Sequence, residues 1–417
     1  MKQKIICCFS LIVVVLLTTF LCLPPKDADI LKNTKELKKQ NVLAIMIETG
    51  EATDTYQEST SGSWPTDGYR FNRKLSRCTN GGELSWDKDK KIVSFSGNSD
   101  DKCYVYFDVG VESIADYCDT GTDLATCVKN FGDQGSAISN IYIHNSSLAN
   151  GAGDNSYRYA GASKSVNNFV CFGSTETPCP TDNLYRIIGV IDGKVKLIKY
   201  DYATSALLGT DGDYKDKYAT IASTNNWDNA SYKGNNLANI AAYNWNKSNQ
   251  NTWRESNLNK VNLNTNFINN IRSEWAAKIA ETTWKVGGYN NSSQPAITVY
   301  QNEINSSPSE TKKIGLMYAS DYGFAAAPSA WTTNLYDYDS ATIKNANWMY
   351  MGLMDWTISR FADSSNSAVG VSVIGFVTGT GYDVTSAFGV RPVLYLKSSV
   401  LYAGGSGTKD SPITLVV

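Results

Sequence analysis

The stretch that most constrains the fold of this chain runs from Trp348 to Leu396, in the last fifth of the sequence. It opens with an aromatic-rich segment, continues as short apolar pieces separated by Gly, Ser and Thr, and closes on Gly389-Val-Arg-Pro-Val-Leu-Tyr-Leu396. The closing run is typical of a β-strand that is entered through a Gly-x-Arg-Pro turn. Because turn-forming residues separate the apolar pieces, the stretch predicts four strands, over 348–352, 356–359, 368–377 and 390–396.

A β-hairpin is predicted near the middle of the chain. Two runs of alternating apolar and polar residues, 185–190 and 194–200, meet at Asp192-Gly193. Asp-Gly tolerates the positive φ angles that a two-residue hairpin turn requires, so this pair is a strong hairpin signal. Further along, the composition of 314–319 predicts a buried strand.

The periodicity changes to that of helices after residue 250. Apolar residues recur largely at spacings of three and four from Leu258 to Ile279, which places them on one face of an α-helix. We predict two helices here, near 256–262 and 265–282, with Asn264 or Thr265 capping the second. A shorter helix is predicted over 123–129.

The segment from Ile5 to Leu23 contains nineteen residues without a charge. As a helix it would extend ~28 Å, about the thickness of the hydrocarbon core of a bilayer. The bulky residues at its end do not suit cleavage by a signal peptidase. We therefore predict an uncleaved signal anchor, a single-pass location in the cell membrane and an extracellular carboxyl-terminal region. A cleaved signal peptide and a lipid anchor are the alternatives.

Six cysteines that follow this segment fall in three close pairs: Cys78 and Cys103, Cys118 and Cys127, Cys171 and Cys179. An even set of neighbouring cysteines predicts three local disulfides and an oxidising compartment. A zinc site is the alternative, but it needs four ligands gathered from these pairs, and no Cys-x-x-Cys motif is present.

The length of 417 residues predicts two or three domains. Composition suggests a transmembrane helix over 1–27, a stalk and linker over 28–63, and a small disulfide-stapled β module over 64–109. A linker with a short helix follows over 110–156, and the last domain covers 157–417. Within the stalk region, Val42–Glu48 has the pattern of a strand.

Charge and histidine content exclude several functions. The net charge of −2 comes from 38 basic and 40 acidic residues, so no basic surplus favours nucleic acid. His144 is the single histidine, and any catalytic triad or two-histidine zinc site would have to be built on it. Its polar surroundings predict an exposed loop residue. Three carboxylates over 211–216 make calcium an alternative to a solvated loop, although an EF-hand needs more ligands.

The Gly-Val-Arg-Pro-Val-Leu-Tyr-Leu segment, together with Thr252-Trp-Arg-Glu-Ser256, resembles bacterial surface-protein domains of unknown function that end in GVRP(A/V)xxL. These domains are similar to the C-type-lectin-like fold of formylglycine-generating enzymes and of the variable proteins of diversity-generating retroelements. The resemblance implies an α+β chain whose last domain is C-type-lectin-like, with a twisted antiparallel sheet, two helices and long loops. The enzymatic relatives act through cysteines in their last part, whereas this chain has none after Cys179.

Binding residues are expected on the loops of such a fold. Two loop groups stand out, over 355–367 and 377–384. Tyrosine and tryptophan offer large contact areas at low entropic cost. The candidate ligand-binding residues are Trp356, Arg360, Tyr382 and Asp383, although a structural role is the alternative for Trp356, as it is for Arg391.

These observations together predict a membrane-anchored extracellular binding or adhesion protein that presents loops to a glycan or protein partner. We expect no catalytic activity, no cofactor, no metal and no nucleic-acid partner. A structural component of the cell envelope or of a pilus is the alternative from another class. An extracellular hydrolase would need two carboxylates in one cleft, and the linear sequence does not say which carboxylates converge.

Overall fold

A computed structural model describes residues 35–36, 41–50, 53–60, 63–65, 68–87, 90, 92–290 and 294–416. The chain divides into two compact units, and the boundary falls between Glu112 and Ser113. The region predicted as a linker, 110–156, therefore lies almost entirely within the second unit. Its helix packs into that unit because Leu124, Val128 and Phe131 are buried in the same core as the main sheet.

The predicted transmembrane helix requires a correction. Within the described residues, every helix is too short or too polar to cross a membrane. The predicted single-pass membrane location is contradicted by this finding. The segment to which the helix was assigned, 1–27, lies outside the described residues.

The described part of the first unit contains strands that pair in two sheets. In chain order they are β1 (Lys35–Glu36), β2 (Val42–Glu48), β3 (Tyr56–Glu58), β4 (Tyr69–Phe71), β5 (Arg77–Cys78), β6 (Glu83–Asp87), β7 (Ile92–Ser96) and β8 (Cys103–Val109). One sheet has the order β1-β7-β6, and the other has the order β3-β2-β8-β4 with β5 beside β8. β2 is parallel to β8 and antiparallel to β3.

A small apolar core holds this unit together. Its buried members are Ile45, Phe71, Val93, Phe95, Cys103, Val105 and Phe107. The predicted strand over 42–48 is confirmed as β2, but it belongs to the same sheet as β8. The unit therefore begins before the predicted boundary at residue 64. That boundary was misplaced because the parallel pairing of β2 with β8 joins residues about sixty positions apart, which no local pattern shows.

The second unit combines many short strands. They are β9 (Ile141–Ile143), β10 (Tyr157–Tyr159), β11 (Phe169–Cys171), β12 (Leu184–Ile191), β13 (Lys194–Lys199), β14 (Tyr214–Lys217), β15 (Ala241–Asn244), β16 (Thr282–Lys285), β17 (Ser309–Lys312), β18 (Ile314–Gly315), β19 (Asp355–Arg360), β20 (Ser367–Val371), β21 (Tyr382–Asp383), β22 (Ala387–Phe388), β23 (Val393–Tyr395), β24 (Tyr402–Gly404) and β25 (Thr414–Leu415).

Short helices connect these strands. They are α1 (Leu124–Gly132), α2 (Ser136–Ser139), α3 (Ser205–Leu208), α4 (Tyr218–Thr224), α5 (Phe267–Asn270), α6 (Ser273–Ala276), α7 (Ala296–Ile304), α8 (Ala319–Ala325) and α9 (Ala341–Asn345). A π-helix over Leu258–Asn266 leads directly into α5. Single 3₁₀ turns lie at Ile114–Asp116, Thr181–Asn183, Leu237–Asn239, Trp253–Glu255, Pro328–Ala330 and Leu335–Asp337.

One seven-stranded antiparallel sheet forms the centre of the second unit. Its order is β18-β23-β13-β12-β10-β9, with β11 also pairing with β12. The hairpin of β12 and β13 is confirmed, since Asp192 and Gly193 both have positive φ. Every residue of β12 is buried, so protein covers this strand on both faces.

The remaining pairings form small separate sheets. β14-β15-β22 and β19-β20-β21 have three strands each, and β16-β17 and β24-β25 have two. The predicted fold class, with one twisted sheet and two helices after a membrane helix, is corrected to a mixed α+β arrangement of many small sheets. Frequent Gly, Ser, Asn and Thr residues interrupt the apolar pieces, so few strands grow long.

The helical region after residue 250 also differs from the prediction. The first predicted helix becomes the π-helix, while the second is broken between α5 and α6 and ends before β16. Side chains compete for backbone acceptors here: Asn264 Nδ2 donates to Asn259 O at 3.0 Å, and Thr265 Oγ1 donates to Lys260 O at 2.9 Å. Both bonds lie within the π-helix, so neither residue is the predicted cap.

The closing stretch supplies three of its four predicted strands. β19, β20 and β23 lie within or close to the predicted ranges, although β20 and β23 are shorter. Residues 348–352 are not a strand, because the Asn347 side chain accepts the Met349 N–H at 3.0 Å and holds a turn there. The predicted strand over 314–319 is reduced to β18, since α8 begins at Ala319.

Candidate functional site

An open groove lies on the second unit, between the turn after β15, the start of β17 and the loop that joins β19 to β20. Two adjoining cavities, of about 520 and about 720 Å³, form it. They share Asn251, Thr252 and Arg360. We call this feature the Arg360 groove.

Asn251 holds one wall of the groove in place. Its Nδ2 donates to the backbone oxygens of Phe361, Ser364 and Ser367, at 3.0, 2.5 and 3.0 Å. Its backbone N–H donates to Ser365 O at 2.7 Å. One buried amide therefore fixes the whole loop between β19 and β20, and the loop needs little further ordering when a ligand binds.

Arg360, the last residue of β19, lines both cavities. Its Nε is buried and has no hydrogen-bond partner among the residues that the structure describes. Arg254, by contrast, donates from Nε to Glu310 Oε2 at 2.8 Å. A buried donor without an acceptor costs free energy that an incoming oxygen would recover. Arg360 is therefore well suited to bind a ligand rich in acceptors.

The rest of the groove is an apolar floor with a polar rim. Trp253, Val286 and Pro308 form the floor, and the Trp253 indole N–H also lacks a partner within the described chain. The rim consists of amides and hydroxyls from Asn249, Gln250, Thr252, Ser307, Ser309, Ser364 and Ser365, together with the Asp363 carboxylate and the Arg254–Glu310 ion pair. The amides and hydroxyls exchange hydrogen bonds with a hydroxylated ligand.

Trp356 does not face this groove. Its side chain is 0% exposed, stacks on Phe388 with 4.2 Å between ring centroids, and donates from Nε1 to Tyr243 O at 2.9 Å. The prediction that Trp356 binds a ligand is therefore replaced by a structural role, which the sequence had left open as the alternative.

Tyr382 and Asp383 lie next to the groove loop without lining the groove. β21 pairs with β20 so that Asp383 faces Ser367, and Val384 N donates to Asn366 O at 3.0 Å. The two predicted loop groups therefore do meet. The Tyr382 ring packs against Phe388 at 4.9 Å, and Asp383 accepts from Thr385 N at 2.8 Å.

Arg391, in the Gly-Val-Arg-Pro run, is structural. Its Nε donates to Asp355 Oδ2 at 2.6 Å, and its Nη2 donates to Met349 O at 2.9 Å. Burial raises the pKa of Asp355 to about 6, although Arg391 opposes this rise. The pair ties the start of β19 to the approach of β23.

His144 is buried, contrary to the prediction of an exposed loop residue. Its ring lies against Phe324 and Trp331, and Nδ1 accepts from Ala152 N at 2.9 Å. Burial lowers the pKa of His144 to about 3. The imidazole therefore stays neutral at physiological pH and serves as a core residue.

A separate cavity, of about 130 Å³, lies between the turn of the β12–β13 hairpin, α7 and the start of α8. We call it the Lys196 pocket. Lys196, Asp321, Arg158 and Glu303 line it, and each is at most 2% exposed. Four ionisable groups converge here at a depth where charge is normally avoided.

Sequence reasoning did not identify this cluster. Its members come from β10, β13, α7 and α8, and their convergence depends on tertiary pairing that no short motif encodes. One local signal was available: Lys196 interrupts the apolar face of a strand whose other side also reads as buried. Asn251 was likewise missed, because nothing in the local sequence distinguishes it from other asparagines in polar turns.

The three predicted disulfides are present. Cys78 pairs with Cys103, Cys118 with Cys127 and Cys171 with Cys179. In the part of the chain that is described, no three side chains of the metal-binding types gather as a metal site would require. Asp213 in the acidic loop instead accepts from Leu258 N at 2.7 Å and from Lys247 N at 3.1 Å.

No protein family, curated protein or solved structure matches this chain. The resemblance of the Gly-Val-Arg-Pro segment to bacterial surface domains therefore remains a prediction. The geometry of the Arg360 groove and of the Lys196 pocket is the basis for any functional conclusion.

Proposed function

We propose that this chain is an exported binding protein that holds an extracellular glycan in the Arg360 groove. The observation that carries the proposal is the buried Arg360 Nε, which has no acceptor among the described residues and belongs to a groove rimmed with amides and hydroxyls. Three disulfides support export, because such bonds persist in oxidising compartments.

An acidic sugar fits the groove better than a neutral one. A guanidinium binds a carboxylate through charge-assisted hydrogen bonds, which are about twice as strong as neutral ones. The preformed loop held by Asn251 lowers the entropy cost of binding. We therefore expect a glycan that carries uronic acids, with its hydroxyls bound to the polar rim.

Binding is favoured over hydrolysis because one of the groove carboxylates, Glu310, is already paired with cations. Glu310 lies 2.8 Å from Arg254 Nε and 3.6 Å from Lys312 Nζ. A glycosidase needs a pair of carboxyl groups that are free to act on the glycosidic bond, whereas Glu310 is engaged in ion pairs with Arg254 and Lys312.

The test is calorimetric titration of the full chain with uronic-acid oligosaccharides and with neutral oligosaccharides of equal length. Arg360→Gln should weaken binding of the acidic series about tenfold or more, since a hydrogen bond to a charged group contributes ~1.5–3 kcal/mol. Arg272→Gln is the matched control, because Arg272 is exposed and lies outside the groove lining. Equal affinity in the wild type and in Arg360→Gln would overturn the proposal.

A structural component of the envelope or of a pilus remains the competing function. Sedimentation of the purified chain without any glycan separates the two, because a binding protein stays at one size over a wide concentration range. Ordered self-association in the absence of glycan, together with no titration signal, would favour the structural function.

A further inference from the structure

Lys196 and Asp321 form an unusually close pair in the Lys196 pocket. The distance from Lys196 Nζ to Asp321 Oδ2 is 2.5 Å, and both side chains are 1% exposed. Lys196 lies on β13, at the centre of the main sheet, whereas Asp321 lies in the first turn of α8. Any bond between them would join segments 125 residues apart in sequence.

Aromatic rings surround the lysine. The centroids of Tyr318, Tyr395 and Trp284 lie 4.5, 5.4 and 5.8 Å from Nζ. Burial lowers the pKa of Lys196, and the Asp321 charge opposes this only in part. An amine in such a setting loses its proton, and becomes a nucleophile, more easily than an amine in water.

The carboxyl group of Asp321 is polarised from two sides. Arg158 Nη1 lies 3.3 Å from Oδ1, and the backbone N–H of Tyr318 donates to Oδ2 at 2.9 Å. Donors of this kind stabilise negative charge that develops on a carboxyl oxygen when a nucleophile attacks its carbon. The lysine, already in contact with Oδ2, is within reach of that carbon.

Glu303 supplies a group that can carry protons. Its Oε1 accepts hydrogen bonds from Ala319 N, at 3.0 Å, and from Ser359 Oγ, whereas Oε2 is buried with no partner among the described residues. Glu303 lines the same small cavity as Lys196 and Asp321. Burial raises the pKa of Glu303 to about 7, so it both accepts and donates protons near neutral pH.

We propose that Lys196 and Asp321 condense into an intramolecular amide bond, with Glu303 transferring the protons. Glu303 takes a proton from the lysine ammonium, and the free amine attacks Cγ of Asp321. The new C–N bond forms while one C–O bond breaks, and the departing oxygen receives two protons, both from the original ammonium group. One water molecule leaves, Glu303 returns to its starting state, and no oxidant or co-reactant is required.

The buried setting favours this product. Condensation of an amine with a carboxylate is unfavourable in bulk water, but exclusion of water and fixed contact between the reactants remove the main obstacles. The alternative is an ordinary buried ion pair, in which the attraction between the two charges offsets part of the cost of burying them. The two differ by the mass of one water molecule.

Mass spectrometry of the reduced, denatured full chain tests the proposal. The wild type should be lighter than its sequence mass by one water, and a digest should contain a branched peptide joining Lys196 to Asp321. Asp321→Asn should form the same amide with loss of ammonia, so its final mass should equal that of the wild type. Glu303→Gln should retain the full sequence mass.

Lys199→Met is the matched control for Lys196→Met. Lys199 lies on the same strand and is also 1% exposed, so both variants lose a buried lysine. Lys199→Met should still lose one water and Lys196→Met should not. Circular dichroism of each variant checks that it folds. A wild-type mass equal to the sequence mass, with both linear peptides in the digest, would overturn the proposal whatever the variants do. The result does not depend on glycan binding.

Discussion

At the scale of single residues, buried polar side chains tie together segments that are far apart in sequence. Arg391 reaches Asp355 and Met349, and Asn251 reaches three carbonyls of one loop. A buried charge or a buried polar group without its partner is costly, so each of these contacts is a point where one substitution has a large effect.

Arg391→Met should destabilise the second unit by about 3–5 kcal/mol, because it leaves the Asp355 carboxylate buried without its cation. The double variant Arg391→Met with Asp355→Leu should recover much of that loss, since the unpaired charge is gone. Urea unfolding followed by tryptophan fluorescence measures both. If the double variant is as unstable as the single one, the ion pair is not the source of the effect.

His144 gives the fold a defined response to acid. Its pKa is lowered from an ordinary 6.5 to about 3 in the folded state, so between these values the unfolded chain binds a proton that the folded chain excludes. Stability is then complete above about pH 6.5 and falls by about 1.4 kcal/mol for each pH unit below it, until about pH 3.

His144→Asn keeps an acceptor for the Ala152 N–H but does not titrate. The difference in unfolding free energy between the wild type and this variant should therefore change with pH only below about 6.5, in the direction that favours the variant. Urea titrations at pH 7.5, 6 and 5 measure it. Parallel pH profiles for the two proteins would contradict a buried neutral imidazole.

The residues that sequence reasoning placed correctly are those whose neighbours in sequence explain them. Asp192 and Gly193 make a turn by their own backbone preferences, and the paired cysteines lie close to each other along the chain. Trp356 and His144 were misplaced because burial depends on what packs over a residue from elsewhere. Arg360 could be named as a cation at the edge of a loop, but only the assembled groove reveals that its Nε has no acceptor in the described part of the chain.

At the scale of elements, the loop between β19 and β20 owes its shape to one side chain from another segment. Asn251→Ala removes three donor contacts to this loop. We expect a loss of about 2–3 kcal/mol, at about 1 kcal/mol per hydrogen bond, and faster amide exchange over 361–367. Hydrogen exchange with mass spectrometry measures the effect locally.

Asn249→Ala is the control for this substitution. Asn249 lies two residues away, and among the described residues its side chain contacts this loop only through a long hydrogen bond of 3.4 Å from Asn366 Nδ2. Protection of 361–367 should stay close to wild type in that variant. Unchanged exchange over the loop in Asn251→Ala would mean that the loop is ordered by other contacts.

Elements with a local signature were predictable and those without were not. α1 is preceded by a capping aspartate, Asp123, whose side chain accepts from two backbone N–H groups of the first turn, and the short apolar face of the helix is visible in sequence. The π-helix over 258–266 was predicted as α-helix, because apolar spacing does not report asparagine side chains that take up backbone carbonyls. The two-residue strands exist only because a distant partner pairs with them.

At the scale of the whole molecule, the two units differ in how much core supports them. The described part of the first unit has seven buried apolar residues in its core, whereas the core of the second extends through most of its elements. A mixed α+β character could be read from the sequence, but the division at Glu112 and the many small sheets follow from pairings between distant segments. Small cores depend more on covalent links.

The disulfide between Cys78 and Cys103 should therefore supply a larger share of the stability of its unit than the disulfide between Cys171 and Cys179 does. It closes a loop of 25 residues, while Cys171 and Cys179 close one of 8, which corresponds to about 3.5 and about 2.5 kcal/mol of chain entropy. Replacing Cys78 and Cys103 by alanine should abolish slow amide exchange in β2 and β8, because about 3.5 kcal/mol is a large share of what a small core supplies. Replacing Cys171 and Cys179 should accelerate exchange in β11 and leave most of the main sheet protected. Peptide-resolved hydrogen exchange reads the two units separately in one experiment. If the first double variant keeps β2 and β8 protected, the apolar core is sufficient to keep this unit folded, and the disulfide only adds to its stability.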